Sequence, residues 1–188
     1  QRQMCIRDRM WVMSHSDERA ESVELQGAFA DRDDWSSKGW CRVERALDVV
    51  GTRSSMLLVR ELFYGAHKFD ELVRRAELSE AVAASRLKQL VADGVVDRRP
   101  YREPGRRTRD EYFLTDRGRR LFPVIVGLME WGDTLRDDRR TAVELIHRDC
   151  GSPLVATVRC TAGHDVPLDE AGARMRDEKW VLAQRGEA

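Results

Sequence analysis

The sequence predicts a mainly α-helical protein with a small β-hairpin wing, in the order of a winged helix-turn-helix, followed by a short C-terminal hairpin or ribbon. Apolar residues recur at helical spacing from residue 41, and an arginine-rich segment with turn residues interrupts that pattern after Gly94. Glycine and proline become frequent again after residue 140. With 41% hydrophobic and 35% charged residues, the 188-residue chain can form a packed core.

Four helices are predicted before the wing. Val43, Leu47 and Val50 recur at i, i+4 and i+7, which places one apolar face on the first helix. Ser79 is an N-cap residue for the fourth helix, and Gly94 closes it. The predicted helices cover residues 41–50, 54–64, 69–76 and 80–93. The third and fourth, joined by a three-residue turn, form the helix-turn-helix.

The wing and a long helix follow. Extended segments are predicted over 95–102 and 109–114, joined by turn residues 103–106. Thr115 caps a helix from Asp116 to about Arg136, which we expect to kink near Pro123.

The chain divides into three predicted parts. Residues 1–38 form an N-terminal extension that is expected to be largely disordered, with at most one short helix near 23–29, and residues 1–9 are expected to be an artefact of sequencing with the natural start at Met10 or Met13. Residues 39–138 are the winged helix-turn-helix domain. Residues 139–188 are a C-terminal extension with a hairpin or ribbon over 141–170 and a weak amphipathic helix between Leu168 and Leu182.

The net charge of zero conceals a basic region. Residues 41–121 contain 18 Lys and Arg against 13 Asp and Glu. Such a region either contacts a polyanion or is a solvated face, and charge alone does not separate the two. The face of helix 80–93 opposite its apolar residues carries small and polar side chains suited to a DNA groove. Those side chains are Ala81, Val82, Ser85, Arg86, Lys88 and Gln89.

The segment after this helix favours DNA over an ordinary surface helix. Arg102, Arg106, Arg107 and Arg109 flank the predicted turn, where they are suited to phosphates or to the minor groove. We therefore expect Ser85, Arg86 and Gln89 to reach base edges while the wing contacts the backbone.

Several stretches of the chain resemble the HxlR-type regulators, relatives of the MarR group. The stretches are Cys41-Arg-Val-Glu-Arg-Ala-Leu-Asp-Val-Val-Gly51, Leu57-Leu-Val-Arg-Glu-Leu-Phe-Tyr-Gly65, Phe69-Asp-Glu-Leu72, Ser85–Tyr101 and Tyr112-Phe-Leu-Thr-Asp-Arg-Gly-Arg119. The resemblance covers about residues 39–134 and implies a homodimeric bacterial transcription regulator that binds a palindromic operator. It also implies that 80–93 is the recognition helix and 95–114 the wing. The chain departs from the family at Arg42, where proline is frequent, and at Gly51–Ser55, where Gly-Lys-Trp is usual.

A homodimer is also predicted from the long helix after the wing. Its apolar residues exceed what one small domain needs to dock the helix, so we expect an isologous contact with a second copy. These residues are Leu121, Val124, Ile125, Leu128, Met129 and Trp131.

Cys41 is a candidate sensor of oxidants or electrophiles. It begins the first helix, where free N–H groups favour a thiolate, and Arg42 and Arg45 add positive charge. The resemblance points the same way, since the matching cysteine senses such signals in several family members. The alternative is a half-buried apolar residue at a helix start.

The C-terminal extension contains a candidate metal site. His147, Cys150, Cys160 and His164 follow the spacing H-x2-C-x9-C-x3-H, and all four are zinc-compatible donors. Against this, tails of some HxlR-type proteins carry Cys-x2-Cys-Gly, and the second cysteine is absent here. Zinc and a metal-free hairpin both remain open, and no other cofactor is expected.

The remaining classes are excluded by absent motifs. Neither a phosphate-binding glycine loop nor H-E-x-x-H nor G-x-S-x-G occurs, which argues against an enzyme. No apolar run is long enough to cross a membrane or to act as a secretion signal, so a soluble cytoplasmic protein is expected. The sequence favours a sequence-specific repressor that responds to redox or electrophile stress. The alternatives are a winged-helix module for protein–protein contact and a metal-responsive regulator that uses the His/Cys cluster.

Overall fold

A computed structural model of the chain describes residues 22–30, 39–102, 105, 107–135 and 143–176. The chain forms two compact units. The larger unit spans Ser37–Ala156, and the smaller one combines Gln1–Ser36 with Thr157–Ala188.

The larger unit begins with four helices, as the apolar spacing predicts. Hydroxyl caps fix two of the helix starts: the backbone N–H of Ser55 donates to Thr52 Oγ1 over 3.1 Å, and that of Val82 donates to Ser79 Oγ over 3.4 Å. The helices are α1 (Arg42–Val50), α2 (Arg53–Phe63), α3 (Phe69–Arg75) and α4 (Glu80–Ala92). Each start and end lies within two residues of its prediction.

The core lies between α2, α3 and α4. Leu58, Leu72, Leu87 and Leu90 are fully buried there. Ala83 and Leu87 come from the face of α4 predicted to be apolar, so this face orients the helix and turns its other side outward. Replacing Leu87 or Leu90 by alanine would lower the free energy of unfolding by about 2–5 kcal/mol, so these two leucines anchor α4 to the core.

The wing is an antiparallel pair, β2 (Val96–Tyr101) and β3 (Arg109–Leu114). Its register runs from Val96 opposite Leu114 to Tyr101 opposite Arg109. On the other side of β3, Lys68 forms an isolated antiparallel bridge with Glu111. The segment between α2 and α3 thus holds the wing against the helices.

The helix predicted after the wing is divided into two shorter helices. The expectation of a continuous helix over 116–136 is wrong, because α5 (Asp116–Arg119) ends before α6 (Phe122–Asp133) begins. Pro123 lies in the first turn of α6, where its missing N–H costs nothing, whereas inside a longer helix it would remove a hydrogen bond. The chain therefore restarts the helix instead of kinking it.

In the smaller unit, two segments predicted to be helical contain β-strands instead. β1 (Glu24–Gln26) pairs in parallel with β4 (Gly172–Arg174), and single 3₁₀ turns lie at Gly27–Phe29 and Leu168–Glu170. The short helix expected near 23–29 and the helix expected from Leu168 are thus both wrong in the described residues. Main-chain pairing between two segments distant in sequence outweighs the weak helical pattern of each. Within the extension expected to be largely disordered, residues 24–29 form β1 and the first 3₁₀ turn.

The ribbon predicted over 141–170 is present as two short hairpins. The first, residues 145–154, has a bridge between Ile146 and Pro153, and the second, residues 158–166, has one between Arg159 and Asp165. The first hairpin belongs to the larger unit, which therefore continues past the predicted boundary at 138. The N–H of Ala156 donates to the Glu130 carboxylate on α6 over 2.7 Å and explains this difference.

No helix in the described part of the chain is long and apolar enough to cross a membrane.

The tight contact at the base of the wing leads to a stability prediction. A Cβ atom on Gly118 would overlap the carbonyl oxygen of Val95. We expect Gly118→Ala to lower the free energy of unfolding by about 1–3 kcal/mol, measured by urea denaturation at fixed protein concentration. Gly132→Ala is the matched control, because that Cβ would meet nothing within 4 Å, and it should leave stability unchanged or raise it by up to about 1 kcal/mol. Equal effects of the two substitutions would contradict the steric explanation.

Candidate nucleic-acid interface

The outward face of α4 is the centre of the candidate interface. The six residues predicted for this face lie outside the core: Arg86 is half-buried and the other five, Ala81, Val82, Ser85, Lys88 and Gln89, are exposed. Small residues occupy its N-terminal end, so the main chain of the helix can approach a groove closely. The face thus presents mixed polar and small side chains on a helix anchored from behind.

One of the six has a partner inside the helix. The side-chain amide of Gln89 donates to both carboxylate oxygens of Asp93 over 3.1 Å. The Gln89 amide is thereby oriented toward the C-terminal end of α4. To hydrogen-bond a DNA base, the Gln89 amide would have to break its hydrogen bonds to the Asp93 carboxylate.

The base of the wing is tied to the end of α4. The Thr115 hydroxyl donates to the Gly94 carbonyl over 2.7 Å and accepts from the Gly118 N–H over 3.1 Å. The Arg117 guanidinium donates to the Asp93 carbonyl over 2.8 Å. These contacts set the position of the wing relative to the candidate recognition helix.

A ring stack supports the middle of the wing. The Arg99 guanidinium lies 4.6 Å from the centroid of the Phe113 ring, and that ring stacks on His67 at 4.5 Å. His67 Nδ1 also lies 3.0 Å from the Tyr112 carbonyl oxygen, and the Tyr112 N–H donates to the His67 carbonyl over 2.9 Å. The loop before α3 therefore contacts β3 through both its backbone and the His67 ring.

The four predicted wing arginines differ in their surroundings. Arg102 and Arg107 are exposed on either side of the turn, and Arg106 lies outside the described residues. Arg109 Nη1 lies 2.9 Å from the carboxylate of Asp70 on α3. Both members of this pair are more than half exposed, so the pair contributes little to stability and a phosphate could replace the carboxylate.

Two further arginines of the wing were not assigned to the interface from the sequence. Arg98 and Arg99 are exposed on β2, where Arg98 lies 3.7 Å from Asp110 and Arg99 lies 3.0 Å from Asp97. Their position in an exposed strand beside the turn is the feature of the sequence that could have indicated a role in the interface. With them, positive charge extends along the strand instead of being confined to the turn.

Local electrostatics favour a charged carboxylate beside the wing. Partial burial acts to raise the pKa of Glu71, but hydrogen bonds from the N–H groups of His67 and Lys68 outweigh it, so that the pKa of Glu71 is lowered. Burial raises the pKa of Tyr112, and the neighbouring Asp110 acts in the same direction. Tyr112 therefore stays protonated and neutral at physiological pH.

Cys41 is the N-cap of α1, as the sequence predicts. Its sulfur accepts from the Glu44 N–H over 3.4 Å, and the residue is half-buried. The thiol is free, and Arg42 and Arg45 lie exposed within the first turn. The position agrees with the sensor hypothesis, which stays a prediction.

The apolar residues of α6 divide between two faces. Ile125 is buried, and Leu121 and Met129 pack against the core, so these three do not belong to the predicted contact surface. Val124, Leu128 and Trp131 are exposed by 47%, 46% and 62%, and Leu135 continues the same row. Val43 and Leu47 on α1 are exposed as well. The larger unit thus exposes more apolar side chain than an isolated domain needs.

The tail donors form two pairs. His147 Nδ1 lies 3.2 Å from Cys150 Sγ, and Cys160 Sγ lies 3.6 Å from His164 Nδ1. The Ser152 hydroxyl and N–H, followed by His147, lower the pKa of Cys150 to about 7, and the N–H groups of His164 and Ala162 lower that of Cys160. Within the described residues, no three His, Cys, Asp or Glu side chains are gathered as a metal group.

Comparison with known proteins identifies the arrangement. Residues 49–140 match the model of the HxlR-like helix-turn-helix family. The uncharacterized HTH-type transcriptional regulator Rv3095 of Mycobacterium tuberculosis is 40% identical over 120 residues, which are 63% of this chain and 75% of the relative. YybR of Bacillus subtilis, also an uncharacterized HTH-type transcriptional regulator, is 33% identical over 104 residues, 55% of this chain and 82% of the relative.

Two solved structures share the fold. PA1607, a proposed transcription factor, is 35% identical with a TM-score of 0.66, and the match covers 75% of this chain and 98% of that one. PA1374 of Pseudomonas aeruginosa, also a proposed transcription factor, is 26% identical with a TM-score of 0.55 over 76% of this chain and 99% of the other.

Proposed function

Because the chain belongs to the HxlR-like helix-turn-helix family of transcriptional regulators, we propose that it represses transcription by binding a palindromic operator as a homodimer. The observation that carries this proposal is the outward face of α4 beside a wing lined with arginines. A helix with small and polar residues enters the major groove, while the arginines of the wing bind phosphates or the minor groove. The relatives that match are HTH-type transcriptional regulators, which supports a role in transcription.

We assign direct recognition of the DNA bases to Arg86. Arg86 is half-buried at the middle of α4, so its side chain is more restricted than that of exposed Lys88. A restricted arginine is well suited to bidentate contact with guanine, and the flexible lysine to a phosphate. Ser85 and Gln89 are assigned to neighbouring bases.

The assignment of Arg86 is tested by substitution. Arg86→Ala should weaken binding to the operator by about 1–3 kcal/mol and relax the preference at one base pair. Fluorescence anisotropy against the operator and its single-base variants measures both effects. Arg148→Ala, an exposed arginine of the tail, is the control and should bind like the wild type. Unchanged preference in Arg86→Ala would remove Arg86 from the base-reading set.

The wing is expected to behave differently. Arg106→Ala combined with Arg107→Ala should weaken binding to every sequence alike, because phosphate contacts carry no base information. Each lost phosphate contact lowers the slope of log K against log salt by about 0.9, so the double variant should lower it by about 2. Wild-type affinity and salt dependence in the double variant would refute the contact.

The homodimer is supported by the exposed apolar row on α6 together with Val43 and Leu47 on α1. Such residues in an isologous contact would bury one another across a two-fold axis. The axis would place two α4 helices in successive major grooves, with half-sites roughly 34–36 Å apart or at a multiple of that distance.

A charge in the apolar row should separate the dimer. Leu128→Asp with Trp131→Glu is expected to yield monomers at micromolar concentration by light scattering and to weaken operator binding, since one half-site alone retains little affinity. Val158→Asp replaces another exposed apolar residue, 71% exposed, and should stay dimeric. A monomeric wild-type chain that still binds the operator would contradict the proposal.

The proposed signal is an oxidant or electrophile that reacts with Cys41. The thiol caps α1, where the N–H of Glu44 donates to the sulfur, and α1 carries part of the proposed dimer surface. A covalent change there would displace the start of α1 and with it the partner subunit.

This proposal predicts oxidant-sensitive binding. Hydrogen peroxide or a quinone should lower the operator affinity of the wild-type chain, while Cys41→Ser should keep its affinity under the same treatment. Cys150→Ser is the matched control and should remain sensitive. Wild-type binding that survives complete alkylation of Cys41, verified by mass spectrometry, would exclude the sensor role.

A further inference from the structure

The first tail hairpin brings a thiol, an imidazole, a hydroxyl and a carboxylate together in one tight turn. His147 Nδ1 lies 3.2 Å from Cys150 Sγ. The turn is closed by its backbone, since the N–H of Gly151 donates to the His147 carbonyl over 2.8 Å and the N–H of His147 donates to the Ser152 carbonyl over 2.9 Å. We refer to His147, Asp149, Cys150 and Ser152 as the thiol cluster. All four residues belong to the larger unit.

The donors in this turn do not suit a metal ion. A structural zinc ion takes four ligands, whereas the turn offers one imidazole and one thiol, and no three His, Cys, Asp or Glu side chains are gathered in the part of the chain that the structure describes. Cys150 is a free thiol. The cluster therefore points to the reactivity of the thiol itself.

The surroundings of the sulfur favour the thiolate. Hydrogen bonds from the Ser152 hydroxyl and the Ser152 N–H, followed by the one with His147, lower the pKa of the Cys150 thiol to about 7. An ordinary cysteine is only a few per cent ionised at neutral pH, and the thiolate is the nucleophile. Attack is fastest for a thiol whose pKa lies close to the ambient pH. Cys150 meets this condition at neutral pH.

The His147 ring is placed to exchange a proton with the sulfur. Its far nitrogen, Nε2, lies 3.6 Å from the Asp149 carboxylate, while Nδ1 faces Cys150. A proton on Nε2 beside the carboxylate leaves the lone pair of Nδ1 directed at the thiol. A nucleophile within reach of a base that a third group orients is the arrangement that activates side chains for covalent reactions.

The sulfur is open to reagents from solution. Every residue of the thiol cluster is exposed, and a Cβ atom on neighbouring Gly151 would meet nothing within 4 Å. Cys41, by contrast, is half-buried at the start of α1. An accessible thiolate reacts readily with soft carbon electrophiles, so exposure and ionisation act in the same direction at Cys150.

We propose that Cys150 is a site of covalent modification by α,β-unsaturated carbonyl compounds, with His147 as the base that takes up the thiol proton. The sulfur forms a bond to the β carbon of the reagent, and the π electrons of the C=C bond move toward the carbonyl oxygen. The proton held by His147 then passes to the α carbon. The S–H bond and the C=C π bond are replaced by S–C and C–H bonds, so the addition consumes no oxidant. This inference rests neither on operator binding nor on Cys41.

The test follows the alkylation of each cysteine in the full-length chain by N-ethylmaleimide, a reagent of this class, using mass spectrometry of tryptic peptides at a series of pH values. In the wild-type chain, the rate at Cys150 should reach half of its maximum near pH 7. Ser152→Ala and His147→Ala should each move that midpoint to higher pH. Each should also slow the reaction at neutral pH by about two- to three-fold, because the less ionised thiol is partly compensated by a more nucleophilic thiolate.

Two controls separate this effect from general changes in the chain. His164→Ala removes an exposed histidine from the other tail turn and should leave the midpoint at Cys150 unchanged. Cys41→Ser should leave it unchanged as well, so a failure of the proposed sensor role of Cys41 would not affect the result at Cys150.

Two results would overturn the proposal. One is a wild-type midpoint at Cys150 near pH 8.5, the value of a free cysteine, which needs no variant to be measured. The other is a midpoint that stays at its wild-type value in both Ser152→Ala and His147→Ala. Far-UV circular dichroism of the variants verifies that the helical unit is folded, so that a shifted midpoint reports on the thiol cluster.

Discussion

The arrangement of the DNA-binding unit depends on one close contact, where the backbone at Gly118 meets the carbonyl of Val95. The Thr115 hydroxyl stabilises this contact, because it donates a hydrogen bond to the Gly94 carbonyl and accepts one from the Gly118 N–H. Gly94 and Val95 follow α4, while Thr115 and Gly118 follow the wing, so the two elements that would touch DNA share one support. Because the contact leaves no space for a side chain at Gly118, α5 lies directly against the backbone between the candidate recognition helix and the wing.

The helix α6 connects this support to the proposed dimer. Leu121, Ile125 and Met129 pack one face of it against the core, where the Tyr64 hydroxyl after α2 donates to the Met129 sulfur over 3.8 Å. Val124, Leu128 and Trp131 lie exposed on the other face. Cys41 lies at the start of α1, which exposes Val43 and Leu47. In the proposed dimer, a chemical change at this cysteine would act on the partner surface that α1 carries.

Most of the DNA-binding unit could be predicted because its signals are local. Apolar spacing in α1, α2 and α4, the caps Thr115 and Ser79, and the turn between the strands all act within a few residues. The candidate interface was predicted for the same reason, since the core face of a helix determines its outward face. Apolar spacing and caps do not predict side-chain pairs such as Gln89 with Asp93 or Arg109 with Asp70. The Asp70 carboxylate belongs to another element, 39 residues away in sequence.

The sequence by itself determined the helix-turn-helix, the wing and the basic face, because each follows from a periodicity or a cap that acts within one element. Only the tertiary structure decided the rest. It paired β1 with β4 in place of two weak helices, separated α5 from α6, and joined the first tail hairpin to α6 through Glu130. It also assigned Ile125 to the core and Leu128 to the surface. These outcomes depend on which distant segments meet, and contacts between distant segments leave no periodic pattern in either one.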